Sequence, residues 1–191
     1  MTATDRPFGL NNLAYQILGV VTRLPRSGYD IVKQLEHFRP AKTSQVYPTL
    51  SKLESAGLVS AEDVEQLGRP NKKVYSATEA GRQALIDWIG TEPEAPYSRD
   101  DFLTMIYSGW LASPDEVRVL VDGKIVRLDR QIAQMQSDIA RLVALHPQEM
   151  HDPGHWRFYR NSLLNRRLMV AQAERVWCLS LLYQLSGATD D

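Results

Sequence analysis

Two groups of side chains have the types and spacing to do chemistry, and that chemistry is recognition of a polyanion. The first is Thr43, Ser44, Gln45, Tyr47, Pro48, Ser51 and Lys52. If this stretch is helical, Val46, Leu50, Leu53 and Ala56 gather on one side. Ser44, Tyr47, Pro48, Ser51, Lys52 and Ser55 then fall on the other. That outer face is small, polar and nearly free of acids, so it can enter a major groove without repelling phosphate. Its hydroxyls and phenol can donate to phosphates or base edges, and Lys52 brings charge to the groove wall. The second group is Arg69, Lys72 and Lys73, in a stretch from Gln66 to Ser76 that holds no acid. A basic tip of this kind can grip a nucleic-acid backbone by ion pairing. Each group alone is ordinary, since polar helix faces and basic hairpin tips are usually just solvated. Together they point to double-stranded DNA.

The remaining candidates for chemistry are weaker. His146, His151 and His155 sit close in sequence, but Pro147 and Pro153 interrupt any common helix and no cysteine lies near, so a polar loop is expected and no metal. Cys178 lies beside Trp177 on an apolar helical face, where a buried thiol is expected instead of a nucleophile. No Ser/His/Asp grouping, phosphate-binding glycine loop or zinc-protease motif appears. Neither an enzyme nor a cofactor is expected. A hydrolase or redox enzyme built on Cys178 and a histidine is the remote rival.

The elements that must position these residues can be read in order. Leu10, Leu13, Ala14, Ile17, Leu18 and Val21 follow helical spacing. Pro25-Arg26-Ser27-Gly28 reads as a turn, with Ser27 capping a second helix that turns Ile31, Val32 and Leu35 inward. Thr43 or Ser44 opens the third helix, and Gly57 suits its C-terminal cap. Strands over 58–64 and 72–76 form a two-stranded hairpin around Gly68, Pro70 and Asn71. Thr78 then caps a fourth helix that runs to Ile89. Helix–helix–helix–hairpin is the order of a winged helix-turn-helix, with the hairpin as a two-stranded wing.

The second half reads as all helix. A short helix lies around Phe102–Leu111, and Ser113-Pro114-Asp115-Glu116 caps the next. Val121, Ile125, Leu128, Ile132, Met135, Ile139 and Leu142 alternate steps of four and three, the seam of a coiled coil. Pro147 ends that helix and Asp152-Pro153 starts the last, with Trp156, Leu163, Val170, Trp177 and Leu181 along a broad apolar face. The apolar surface exceeds what two antiparallel helices can bury on each other, so it needs the first half, another subunit or both, and a symmetric dimer is the simplest answer. The fold class is thus mainly α, with the domains at 8–91 (winged helix), 92–97 (a linker holding Pro93 and Pro96) and 98–187 (helical dimerisation domain).

Composition agrees and excludes alternatives. The chain has 191 residues with 43% hydrophobic and 24% charged, in the range of a globular protein. Residues 1–91 carry 11 Lys+Arg against 9 Asp+Glu, whereas residues 92–191 carry 11 against 14, so the basic excess lies on the half with the outer face and the wing. No apolar run is long enough for a membrane span, the first residues lack a secretion-signal pattern, and a single cysteine fits a reducing cytoplasm.

One stretch makes the reading specific. Tyr47-Pro48-Thr49-Leu50-Ser51-Lys52-Leu53-Glu54-Ser55-Ala56-Gly57-Leu58-Val59 resembles the recognition-helix segment of the PadR family of bacterial transcriptional regulators. Gly28-Tyr29-Asp30-Ile31 resembles the start of that family's second helix. Gly68-Arg69-Pro70 and then Lys73-Val74-Tyr75-Ser76-Ala77-Thr78-Glu79-Ala80-Gly81 resemble its wing and fourth-helix entry, with Ala77 where the family more often has Ile or Leu. The helical remainder resembles the larger subfamily, whose C-terminal domain is like that of virulence-activator-type regulators. The resemblance implies a homodimer on pseudo-palindromic operator DNA, usually a repressor released by a small molecule. Core or dimer packing is the first explanation for Trp88, Trp110, Trp156 and Trp177, and the alternative is a pocket for a flat aromatic effector against Trp110 and Trp156. The competing reading is a winged-helix module for protein contact, without sequence-specific DNA binding.

Overall fold

Leu13, Ala14, Ile17, Leu18 and Val21 wind into α1 (Asn12–Val21), whose N-terminus is closed by Asn11, its side chain accepting from the Ala14 N–H at 2.9 Å. The computed structural model describes residues 9–36, 41–65, 71–93 and 100–187. They fall into two units, Met1–Ala95 and Pro96–Asp191.

In the first unit the expected turn at Pro25 holds a two-residue strand, β1 (Arg26–Ser27). It is followed by α2 (Gly28–Glu36), α3 (Thr43–Ser55), β2 (Val59–Val64), β3 (Lys72–Ala77) and α4 (Glu79–Ile89). The sheet is therefore three-stranded, in the order β1-β3-β2, where sequence pattern led us to expect two strands. Arg26 pairs with Tyr75 and Ser27 with Val74, which covers the edge of β3 that a lone hairpin would leave open. Two residues are too few to show alternation, so the pattern gave no signal. Ser27 caps α2 as expected: its hydroxyl accepts from the Asp30 N–H at 3.2 Å and donates to the Asp30 carboxylate at 2.7 Å.

Both ends of α3 are locally determined. Thr43 is its first residue, and the backbone N–H of Lys42 donates to the Gln45 side chain at 3.1 Å, so Gln45 closes the helix instead of a hydroxyl of Thr43 or Ser44. At the other end Gly57 takes φ +69, with Gly57 N–H donating to Glu54 O and Leu58 N–H to Leu53 O. Val46, Leu50 and Leu53 are fully buried, whereas Ala56, expected on the same side, lies beyond the last turn and is exposed. Thr78 fastens two helix ends together, donating to Gly57 O at 2.7 Å and accepting from the Gly81 N–H at 3.1 Å. Trp88 of α4 stacks on Tyr15 with ring centroids 4.5 Å apart, so this tryptophan is spent on the core of its own unit.

The second unit holds α5 (Asp101–Tyr107), a 3-10 turn (Gly109–Leu111), α6 (Pro114–Leu145) and α7 (Trp156–Gly187). Ser113 and Glu116 form the expected capping box of α6. The last helix begins later than Asp152-Pro153 suggests. Asp152 instead makes a turn, its carboxylate accepting from the Gly154 N–H at 2.8 Å and its carbonyl from the His155 N–H at 2.9 Å. The seam of α6 is used inside the chain: Val121, Ile125 and Leu128 are buried in one cluster with Phe102, Ala171 and Cys178. Ile132 and Met135 pack against that cluster from its edge, and Ile139 and Leu142 are half-buried. Fully burying each such aliphatic side chain stabilises by about 1.5–3 kcal/mol. Ion pairs between Lys124 and Glu174 (2.6 Å) and between Arg175 and Asp129 set the register of α6 on α7. Among the described residues no helix is long and apolar enough to cross a membrane.

Candidate nucleic-acid interface

The outer face of α3 is built as the sequence pattern implied. Thr43, Ser44, Gln45, Tyr47, Pro48, Ser51 and Lys52 are all exposed on a helix whose other side is locked by Val46, Leu50 and Leu53. Pro48 lacks the N–H that would bond the Ser44 carbonyl, so that oxygen loses its helical donor. Thr49 turns its hydroxyl back onto Gln45 O at 2.7 Å and takes no part in the outer face.

Tyr47 is held by Gly28, which the sequence marks as a turn and helix start but not as a neighbour of α3. A Cβ on Gly28 would lie 2.7 Å from Tyr47 Cε1 and 2.9 Å from its hydroxyl, so the ring end rests on the bare Cα at the start of α2. The phenol is thereby fixed where the first N–H groups of α2 emerge. Tyr29, the next residue of α2, is exposed and has the Lys33 ammonium 4.8 Å above its ring. Spacing within α3 alone gives no sign of either, because both lie on another helix.

The wing divides its cations. Lys72 is exposed in the terminal register pair of the hairpin, opposite Val64. Lys73 points the other way along the pleat, on the same face as buried Tyr75. Its ammonium donates to both carboxylate oxygens of Glu54 on α3, at 2.9 Å each. That hydrogen-bonded carboxylate holds the Lys73 pKa above its ordinary value, while burial pushes the Tyr75 phenol up. Glu54 enters the sequence reading only as part of the recognition-helix motif, with no sign of its role, because the lysine it holds is nineteen positions away. Arg69, with Gly68 and Pro70, lies outside the described residues.

The residues expected to bind an effector or a second subunit lie in the second unit. Trp110 is 81% exposed on the 3-10 turn, whereas Trp156 is half-buried with the Arg157 guanidinium 4.7 Å over its ring. Leu163, Val170 and Trp177 form an exposed row on α7 at intervals of seven, and Trp177 also meets Phe102 edge-on at 6.1 Å. Leu181, one turn beyond Trp177, is half-buried against the α6–α7 core. Cys178 is fully buried there, and burial raises its pKa, so it stays a protonated thiol. His146 pairs with Glu149 at 2.9 Å, and Glu149 with Arg157 at 3.2 Å, a polar clasp at the α6–α7 connection. Among the described residues no group of His, Cys, Asp or Glu could hold a metal ion.

Comparison with known proteins bears on the same surface. Residues 17–87, which include α2, α3 and the wing strands, match the transcriptional regulator PadR-like family. The negative transcriptional regulator PadR of Bacillus subtilis is 28% identical over 172 residues, 86% of this chain and 94% of that protein. Its crystal structure with operator DNA matches with a TM-score of 0.83 at 26% identity, covering 92% of this chain and 98% of that one. Its structure with p-coumaric acid matches with a TM-score of 0.74, covering 93% and 98%. The virulence activator AphA of Vibrio cholerae matches with a TM-score of 0.68 at 27% identity, covering 93% of this chain and 99% of that one. The family is one of DNA-binding regulators and not of enzymes. From the recognition-helix motif through the wing, residues 17–87 match the PadR-like transcriptional regulators, and over most of its length the chain is similar to PadR of Bacillus subtilis.

Proposed function

We propose that the chain is a homodimeric repressor that binds a pseudo-palindromic operator through α3 and the wing, and that a small aromatic compound releases it. The observation that carries this reading is the exposed, acid-poor outer face of α3, with Tyr47 seated against Gly28. Thr43, Ser44, Gln45, Tyr47, Pro48, Ser51 and Lys52 supply groove and phosphate contacts, and Lys72 with Arg69 grips the flanking backbone. In this reading residues 8–91 are the DNA-binding domain, 92–97 the linker and 98–187 the dimerisation domain. The dimer uses the outer ridge of α7, where Leu163, Val170 and Trp177 are exposed, because the upper seam of α6 is already consumed within the chain.

The operator complex and the p-coumaric acid complex of the Bacillus subtilis relative support both partners. An aromatic acid could stack on exposed Trp110, with Trp156 as the second ring. A compound that prefers the DNA-incompetent form a hundredfold shifts the equilibrium by about 2.7 kcal/mol. Binding to the DNA upstream of the chain's own gene, measured by fluorescence anisotropy, tests the reading. Tight, salt-dependent binding that weakens on addition of p-coumaric or a related phenolic acid is the expected result. Equal binding of a scrambled duplex would overturn it in favour of a protein-contact module.

A further inference from the structure

We propose that Lys73 is a positioning residue and not a phosphate ligand: its two-pronged pair with Glu54 ties the wing to the last turn of the recognition helix. The inference rests on the DNA-binding reading above and assigns roles within that same surface. Lys73 was grouped with Arg69 and Lys72 as a basic tip, yet strand alternation puts it and Lys72 on opposite faces of the hairpin. Its ammonium spends two donors on Glu54 Oε1 and Oε2, both at 2.9 Å, and lies 5.6 Å from the Tyr75 ring centroid. Tyr75 is itself buried and paired in register with both Ala61 and Arg26, so the stem of the wing is fixed on three sides. Beyond Tyr75 the hairpin leaves the core: Glu62, Asp63, Lys72 and Lys73 are exposed and Val74 is only half-buried. In that outer part Lys73–Glu54 is the ion pair that reaches α3 among the described residues. The pair also neutralises Glu54, the acid within the recognition helix, which would otherwise repel phosphate. Helix and wing thus meet DNA in one fixed relation, and the charge that grips phosphate comes from elsewhere on the tip.

The two roles predict opposite outcomes for Glu54→Gln. The probe is a duplex selected by the wild-type chain from a random pool, compared with a scrambled duplex over a range of salt. A positioning role predicts that Glu54→Gln lowers the selected-over-scrambled affinity ratio about tenfold with an unchanged salt slope. The swapped variant Glu54→Lys/Lys73→Glu should restore the ratio. A phosphate-ligand role predicts tighter binding by Glu54→Gln, and a salt slope about one unit smaller for Lys73→Gln; either result overturns the proposal. Hydrogen exchange on the DNA-free chain is the second readout, with faster exchange at residues 71–74 expected in Glu54→Gln and an unchanged melting temperature. Unchanged exchange also overturns the proposal. If exchange rises but the wild type selects no duplex, the tie stands as structure and the DNA reading is what has failed.

Discussion

At the scale of single residues, the recognition surface depends on one missing methyl group as much as on any polar group. Gly28 leaves space that the Tyr47 ring end occupies, and a Cβ there would sit at 2.7 Å from the ring. The atoms it would meet are the far end of a side chain, so alanine should displace the tyrosine and leave the fold intact. Gly28→Ala is therefore expected to weaken operator binding as much as Tyr47→Phe does, with the melting temperature nearly unchanged. Tyr47→Phe removes the hydroxyl alone and should cost on the order of 1 kcal/mol of binding free energy if that group holds a phosphate. Anisotropy titrations of the two variants and their combination check this. Equal, non-additive losses are expected, and a Gly28→Ala chain that binds like wild type would separate the glycine from the site. The polar face of α3 was legible in the sequence because helical spacing sorts it from Val46, Leu50 and Leu53. The residues that aim it were not, because Gly28 and Glu54 act through contacts with Tyr47 on another helix and Lys73 on a strand.

Elements were legible where one local signal sets each end and misread where a distant partner or a competing local turn sets it. Thr78, Ser113 and Gly57 each act within a turn of chain, and each ends or begins a helix where the sequence placed it. β1 exists only because β3 offers it an edge, so no local pattern announces it. Asp152-Pro153 has the residues of a helix start, yet the Asp152 side chain closes a turn onto Gly154 and postpones α7. The heptad seam of α6 was read correctly as a seam, but spacing does not say whether the partner is another chain or α7. The start of α6 also carries a pH dependence. The Ser113 N–H and then the Ser113 hydroxyl donate to Glu116 and hold its carboxyl below the ordinary value of 4.5. A lowered folded-state pKa adds stability that is present above the unfolded value and is lost as pH falls through the folded one. Thermal melts across the acid range should therefore fall more steeply for wild type than for Glu116→Gln. Parallel curves would remove the capping carboxylate from the account.

At the scale of the whole molecule, the proposed function has two copies of α3 address one DNA duplex. A single helix face with Ser44, Tyr47, Ser51 and Lys52 offers too few base-edge contacts for selectivity, so the second copy must supply the rest. The outer ridge of α7 is the surface assigned to join them, with Leu163, Val170 and Trp177 exposed on it and Met169, Val176 and Tyr183 exposed farther round the same helix. Carboxylates in that ridge, as in Leu163→Glu/Val170→Glu, should split the dimer without touching the first unit, and such a chain is the control for the decisive test. That test is a hydroxyl-radical footprint of the wild-type chain on its selected operator. The account predicts two protected patches centred about 34 Å apart, one turn of DNA, with both fading together in the ridge variant as affinity falls. A single protected patch for the wild type, or two patches that the ridge variant keeps at full affinity, would contradict it.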